Sequence, residues 1–72
     1  MPQRSYVRNG HNINIDVSET KAGKWRWSYT IDAIDYTEMR DRPVASDGMA
    51  MLEAEHDANQ KVDRMPAGKY EG

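Results

Sequence analysis

The sequence predicts a small α+β domain: a three-stranded antiparallel sheet with one C-terminal helix packed across one face, in the order β-β-β-α. Three observations carry that prediction. In residues 25–32, Trp25, Trp27, Tyr29 and Ile31 alternate strictly with Arg26, Ser28, Thr30 and Asp32, the period-two pattern of a strand with one buried face. Residues 12–18 alternate too, with Ile13, Ile15 and Val17 against Asn12, Asn14 and Asp16. From about Asp47 to Met65 the spacing becomes helical. Met51, Ala54, Ala58, Val62 and Met65 share one stripe with Ala50 at its margin, and Glu53, His56, Asp57, Gln60, Asp63 and Arg64 take the opposite side.

Taken in order, residues 1–11 read as a flexible arm. Asn9-Gly10 is a turn dipeptide. It could close a hairpin between Tyr6-Val7 and Ile13, but that arm is short. The first strand follows, then a polar loop, Glu19 to Gly23, whose glycine can take positive φ. Pairing Val17 with Trp25, Ile15 with Trp27 and Ile13 with Tyr29 puts every apolar residue on one face, and a slip of one residue would undo this. Asp32 to Asp35 makes the next turn. Tyr36 to Arg42 reads as a weaker edge strand that Pro43 ends; Tyr36 and Met39 share a face there only with a bulge. Ser46 is a helix N-cap with Asp47 favourable against the dipole. Pro66 and Gly68 stop the helix, leaving residues 66–72 as a flexible tail. Ala54 and Ala58 would let the backbone approach the bulky Trp25 and Trp27 closely.

At 72 residues the chain is one domain, and one this small buries only about 60–65% of the surface its unfolded form exposes. It contains no cysteine, so neither disulfides nor thiolate-bound zinc can staple it. The core must suffice, or a second subunit must supplement it, and the expected state is a monomer or a weak homodimer. There is no apolar leader and no run approaching the ~20 apolar residues of a membrane span, so a soluble cytoplasmic protein without membrane association is expected. The net charge is −2. Residues 1–27 hold five basic and two acidic groups, and residues 28–72 hold five and ten. That is a small basic excess for a nucleic-acid footprint.

No constellation reads as catalytic. His56 has only Glu53 and Gln60 at helical spacing, too little for a metal pair. Asp32, Asp35 and Asp16 are a carboxylate set, but aspartates are ordinary turn residues. Ser46 is followed by no base. Ala67-Gly68-Lys69 lacks the rest of a phosphate loop. No catalytic, cofactor-binding or metal-ligating residue is therefore assigned, and no cofactor is expected. Trp25, Trp27 and Tyr29, flanked by Lys24 and Arg26, would stack on unpaired bases if exposed, but their apolar neighbours need cover, which favours a place in the core.

The remaining reading is a non-enzymatic protein-binding or regulatory module. The other sheet face would carry Arg26, Ser28, Thr30, Asn12, Asn14 and Asp16. Met49 and Leu52 point away from the helix stripe and, with the edge strand, offer an apolar contact to a dimer mate or partner. The candidate partner-binding residues are Arg4, Arg8, Arg26, Ser28, Thr30, Met49 and Leu52. The alternative is weak binding of RNA or single-stranded DNA through the arm (Arg4, Arg8, His11) and the sheet.

The pattern Trp25-x-Trp27-x-Tyr29-x-Ile31-Asp32, then Tyr36, then Ala50-x-x-x-Ala54-x-x-x-Ala58 before Val62-Asp63 resembles small uncharacterised proteobacterial proteins of about this length, over residues 13–65. The expected topology is also similar to the β-β-β-α half of HicB-type antitoxin domains, a cut-down double-stranded-RNA-binding-like unit. In that family a partner protein sits on the module and a separate DNA-binding segment follows it, so the resemblance implies a protein partner. The family's glycine-rich strand turn is missing, and no room is expected for the DNA-binding segment. The likeness is one of topology, which does not by itself transfer function.

Overall fold

The computed structural model describes residues 3–70. It holds β1 (Gln3–Arg8), β2 (His11–Glu19), β3 (Trp25–Ile31), β4 (Asp35–Glu38) and α1 (Asp47–Asp63). The strands form an antiparallel meander in the order β1-β2-β3-β4, and α1 packs on β2 and β3 from one side. The sheet thus has four strands, not three. The segment expected to be a mobile arm is β1, paired with β2 from Gln3 opposite Asp16 to Arg8 opposite His11. Its turn explains why a short arm suffices. Asn9 and Gly10 have φ of 52° and 73°, the two positive values whose twist matches flanking strands in a two-residue hairpin.

The β2–β3 register differs from the expected one by two residues: Val17 faces Trp27, Ile15 faces Tyr29 and Ile13 faces Ile31. The reason lies in the loop. β2 continues to Glu19, and the connection closes with Thr20 N donating to Lys24 O at 2.7 Å and Gly23 N donating to Thr20 O at 3.1 Å. A two-residue shift keeps every side chain on its face, so the apolar pattern survives it.

The last strand is shorter than expected. After Glu38, Met39 N donates to Trp27 O at 3.1 Å, and the chain then leaves the sheet. It returns at Val44, which exchanges backbone bonds of 2.8 and 2.9 Å with Trp25. Tyr36 pairs with Thr30 on the uncovered side, whereas Met39 is buried. Ordinary alternation separates the two, so no bulge is needed.

The core joins Ile13, Ile15 and Val17 of β2 and Tyr29 and Ile31 of β3 to Ala50, Ala54, Ala58 and Val62 of α1. The largest fully covered side chain is Tyr29, not an indole. Trp25 and Trp27 pack at the rim, half-buried, with Trp27 stacked on Tyr29 at a centroid distance of 5.8 Å. Ala50, placed at the margin of the stripe by its spacing, is fully buried.

Ser46 caps the helix as expected, its Oγ accepting from Met49 N at 3.1 Å. The helix ends at Asp63, two residues early, because Asn9 supplies a cap from outside. Its Nδ2 donates to Val62 O at 2.8 Å and to Met65 O at 3.1 Å, satisfying carbonyls that a helix end leaves orphaned. The tail is docked rather than free through residue 70: Gly68 N donates to Asn9 O, and Tyr70 N to Gly10 O, both at 2.9 Å. The backbones of Gly10 and Gly68 meet so closely that a Cβ on either would fall on the other's carbonyl. Residues 1–2 and 71–72, parts of the expected arm and tail, lie outside the described residues. No described helix is long and apolar enough to cross a membrane.

Candidate functional site

The side chains of the sheet divide into two sets, and the division decides which residues are available to a ligand. On the helix side, polar groups along both edges of α1 are already engaged. Along one edge, Arg4 pairs with Glu55 at 2.6 Å. Tyr6 Oη donates to Asn59 Oδ1 at 2.6 Å. Arg8 donates to both oxygens of Asp63 at 3.0 and 2.9 Å. The spacing is what makes this ladder fit. Two strand residues rise about 6.7 Å and four helix residues about 6.0 Å, so every second residue of β1 meets every fourth of α1. The bidentate Asp63 contact raises the Arg8 pKa further and lowers that of Asp63.

Along the opposite edge, Trp27 Nε1 donates to Glu53 Oε1 at 3.3 Å and Tyr29 Oη to Asp57 Oδ2 at 2.6 Å. Lys61 Nζ donates to Asp35 Oδ1 at 3.1 Å and to Thr37 Oγ1 at 3.2 Å. Burial, and then the bond to Asp57, push the Tyr29 hydroxyl far above the ordinary tyrosine range. Glu53, Asp57 and Asp63, expected on the solvent side of the helix, therefore bind sheet residues at its flanks. A cleft of about 360 Å³ opens here, lined by Trp27, Tyr29, Thr37, Arg40, Asp57 and Lys61 among others. Two pairs of its polar groups are bonded to each other, Tyr29 with Asp57 and Thr37 with Lys61, while its outer wall carries the exposed Arg40 and Asp41.

Among the described residues His11 is the one buried polar side chain. Its Nδ1 donates to Asp32 Oδ2 at 2.8 Å and its Nε2 to Pro66 O at 2.7 Å. A carbonyl and a carboxylate both only accept, so this geometry requires a proton on each ring nitrogen. The Asp32 bond chiefly, and then the Pro66 bond, hold the imidazole pKa above its usual value. Asp32 is held below the carboxylate range by His11 and by Asn12 N, which donates to its other oxygen at 2.8 Å. These contacts also fix the β3–β4 turn, where Asp32 and Ala33 both have positive φ, 56° and 61°. An Asp–His pair can orient a catalytic imidazole. Here Nε2, the nitrogen a substrate would need, is closed off by the tail carbonyl.

Asp32, Asp35 and His56, the titratable residues weighed for acid–base chemistry, do not converge by their contacts. Asp32 engages His11, Asp35 engages Lys61, and His56 is exposed on the crest of α1. Among the described residues no group of three or more His, Cys, Asp or Glu side chains gathers as a metal site.

The far side of the sheet is different. No described element crosses it. By register it carries two rows across all four strands: Gln3, Asp16, Ser28 and Glu38, and beside them Ser5, Asn14, Thr30 and Tyr36. Val7 with Asn12 extends it at one end, Ser18 with Arg26 at the other. Of the candidate partner-binding residues, Arg26, Ser28 and Thr30 stand on this face. Arg4 and Arg8 stand on the covered face, against the helix. Met49 and Leu52 lie on the helix, 49% and 67% exposed. Sequence reading missed Ser5, Gln3 and Val7 as members of the open face because their strand was not foreseen. The Asn9-Gly10 dipeptide was the signal that could have placed them.

No family model matches the chain, and neither a curated protein nor a solved structure does. Function is therefore argued from these surfaces.

Proposed function

We propose that this is a non-enzymatic cytoplasmic domain that binds another protein through the open face of its sheet. The observation that carries the reading is the row Ser5, Asn14, Thr30 and Tyr36, which crosses four strands without cover. Short hydroxyl and amide side chains offer paired donors and acceptors at small desolvation cost, and an exposed tyrosine gives an aromatic anchor. An antiparallel sheet tolerates one wet face, so the inference rests on the content of this face rather than on its exposure alone. Absence of cysteine fits a reducing compartment.

Charge argues for protein over nucleic acid. Arg26 is the one basic side chain that register places on this face, where Asp16 and Glu38 oppose it. Arg4 and Arg8, the basic groups of the expected nucleic-acid arm, are paired with Glu55 and Asp63. His11 is buried.

The test is affinity capture with three tagged forms: the native chain, the double variant Asn14→Arg/Thr30→Arg, and Leu52→Ser. The expected result is a specific protein retained by the native chain and Leu52→Ser and lost with the double variant. A partner indifferent to Asn14 and Thr30 overturns the choice of face. A salt-dependent mobility shift with single-stranded RNA, and no protein partner, overturns the class.

A further inference from the structure

The two edges of the sheet are not equivalent, and the difference points to a partner for one of them. β4 is only four residues long and is interrupted after Met39. It carries Asp35 and Glu38. Short, charged, broken edges are the usual defence against strand addition. β1 has six residues, with no proline and no bulge in its pairing with β2. Its two arginines, the groups that would defend it, are turned onto the helix and neutralised by Glu55 and Asp63.

The hairpin geometry fixes which backbone groups of β1 are free. A two-residue turn makes its flanking residues a hydrogen-bonded pair, here Arg8 and His11, so Tyr6 and Arg4 also bond inward to β2. The ladder on the other side of β2 agrees, since Asn12 O accepts from Asp32 N. The N–H and C=O groups of Gln3, Ser5 and Val7 therefore point away from the sheet.

We infer that two copies of this chain associate through β1, antiparallel about a two-fold axis at Ser5, to form one continuous eight-stranded sheet. The register follows from charge and from the faces. With the axis at Ser5, Gln3 lies opposite the partner's Val7, and Arg4 opposite the partner's Tyr6. Arg4 already lies over its own Tyr6 ring, 5.7 Å from the centroid, so a second phenol ring beside the guanidinium is favourable. An axis at Tyr6 would oppose Arg4 to the partner's Arg8, and an axis at Arg4 would oppose two copies of Arg4. A register shifted by one residue would set Ser5 against Tyr6 and turn the second helix to the other side. The Ser5 register keeps both helices on one side, roughly 19 Å apart at a strand spacing of about 4.8 Å, beyond the ~10 Å diameter of a helix. The open faces then join into one surface twice as wide. The self-association does not depend on what that surface binds.

An edge contact of this size makes a weak dimer, so the test is sedimentation equilibrium across a wide concentration range. The native chain is expected to show a reversible monomer–dimer equilibrium. Ser5→Pro removes an outward N–H that β2 does not use and is expected to raise the dissociation constant at least tenfold. Tyr36→Pro, the matching change on the β4 edge, is expected to leave it unaltered. Ser5→Cys keeps the fold accessible if proline does not. The native chain has no cysteine, and opposed residues of a hydrogen-bonded pair lie about 5.5 Å apart at Cα, within disulfide reach. Mild oxidation is expected to give a covalent dimer. A native chain that stays monomeric near 1 mM with no crosslinking of Ser5→Cys overturns the inference. So does a dimer insensitive to Ser5→Pro, or a monomer whose β1 edge instead captures a different protein.

Discussion

Asn14 and Ile15 are neighbours in β2 and belong to opposite faces of one sheet. Ile15 is closed in by Tyr29 and the small side chains of α1, while Asn14 stands in a row of polar groups that nothing described covers. The covered face is built from large residues on the strands and alanines on the helix, so the two layers meet closely. The open face is built from serine, asparagine and threonine, which add little to packing. A domain this small cannot spend apolar surface on both sides. Stability is therefore concentrated on one face, and the other is free to vary for recognition. Substitutions one residue apart should separate the two properties.

The largest effect is expected at the covered face. A 72-residue chain has a stability on the order of 4–11 kcal/mol. Ile15→Ala deletes three buried carbons and leaves a cavity, at a cost of about 2–5 kcal/mol. That removes much of the total, and urea denaturation should show a midpoint lowered towards zero. Ala54→Leu tests the same layer from the other side. Ala54 is fully buried, so added carbons must lift the helix from the sheet, at about 1–3 kcal/mol. If Ala54→Leu is neutral, the close helix–sheet approach is not what holds the core.

The next effect belongs to the boundary between the faces, at the turn end. His11 ties the β3–β4 turn to the tail through Asp32 and Pro66. Its pKa is raised in the folded state, so its stabilisation is complete below the unfolded value of 6.5 and is lost as pH rises through the folded value. The pKa of Asp32 is lowered, so its share is present above 3.8 and is lost as pH falls through its folded value. Stability from this pair should form a plateau between about pH 4 and 6.5 and decline on both sides. A thermal midpoint followed from pH 5 to 9 should fall, and His11→Gln should flatten that decline. Because burial also raises the Tyr29 pKa, a separate loss is expected above pH 10 in both proteins. An unchanged profile in His11→Gln would show that the ring does not carry the second proton.

The sequence made the covered face legible because packing there follows apolar periodicity. Alternation in β2 and β3 and the alanine stripe of α1 located both layers and the Ser46 cap. β1 was not legible on the same terms. Its attachment to the helix is polar, through Arg4, Tyr6 and Arg8 at every second position and Glu55, Asn59 and Asp63 at every fourth, and such pairs read as solvated charge until the strand is placed. The register was legible only in parity, since a shift of two residues leaves the apolar set unmoved and the loop alone decides it. His11 was hidden because its partners, Asp32 and Pro66, are 21 and 55 residues away. The open face was half legible: Arg26, Ser28 and Thr30 were visible by alternation, but Ser5 and Gln3 depended on the missing strand.

The smallest effect on stability is expected where the effect on function is largest. Thr30 lies between Asn14 and Tyr36 in the open row, and no described side chain bonds to its hydroxyl. Thr30→Ala removes a hydroxyl and a methyl from a surface open to water. It trades a good strand former for a poorer one, so denaturation should register a change within about 0.5 kcal/mol. Recognition through this row would nevertheless lose a central donor and acceptor. In a complex, the group it had met would be left buried and unpaired, which costs about 1–3 kcal/mol, a five- to more than hundredfold weaker affinity. Equal stability with weakened capture, measured on the same Thr30→Ala protein, is what a division of labour between the faces requires. Equal stability with undiminished capture would move recognition off the row, leaving the exposed crest at Met49 and Leu52 as the surface to map next.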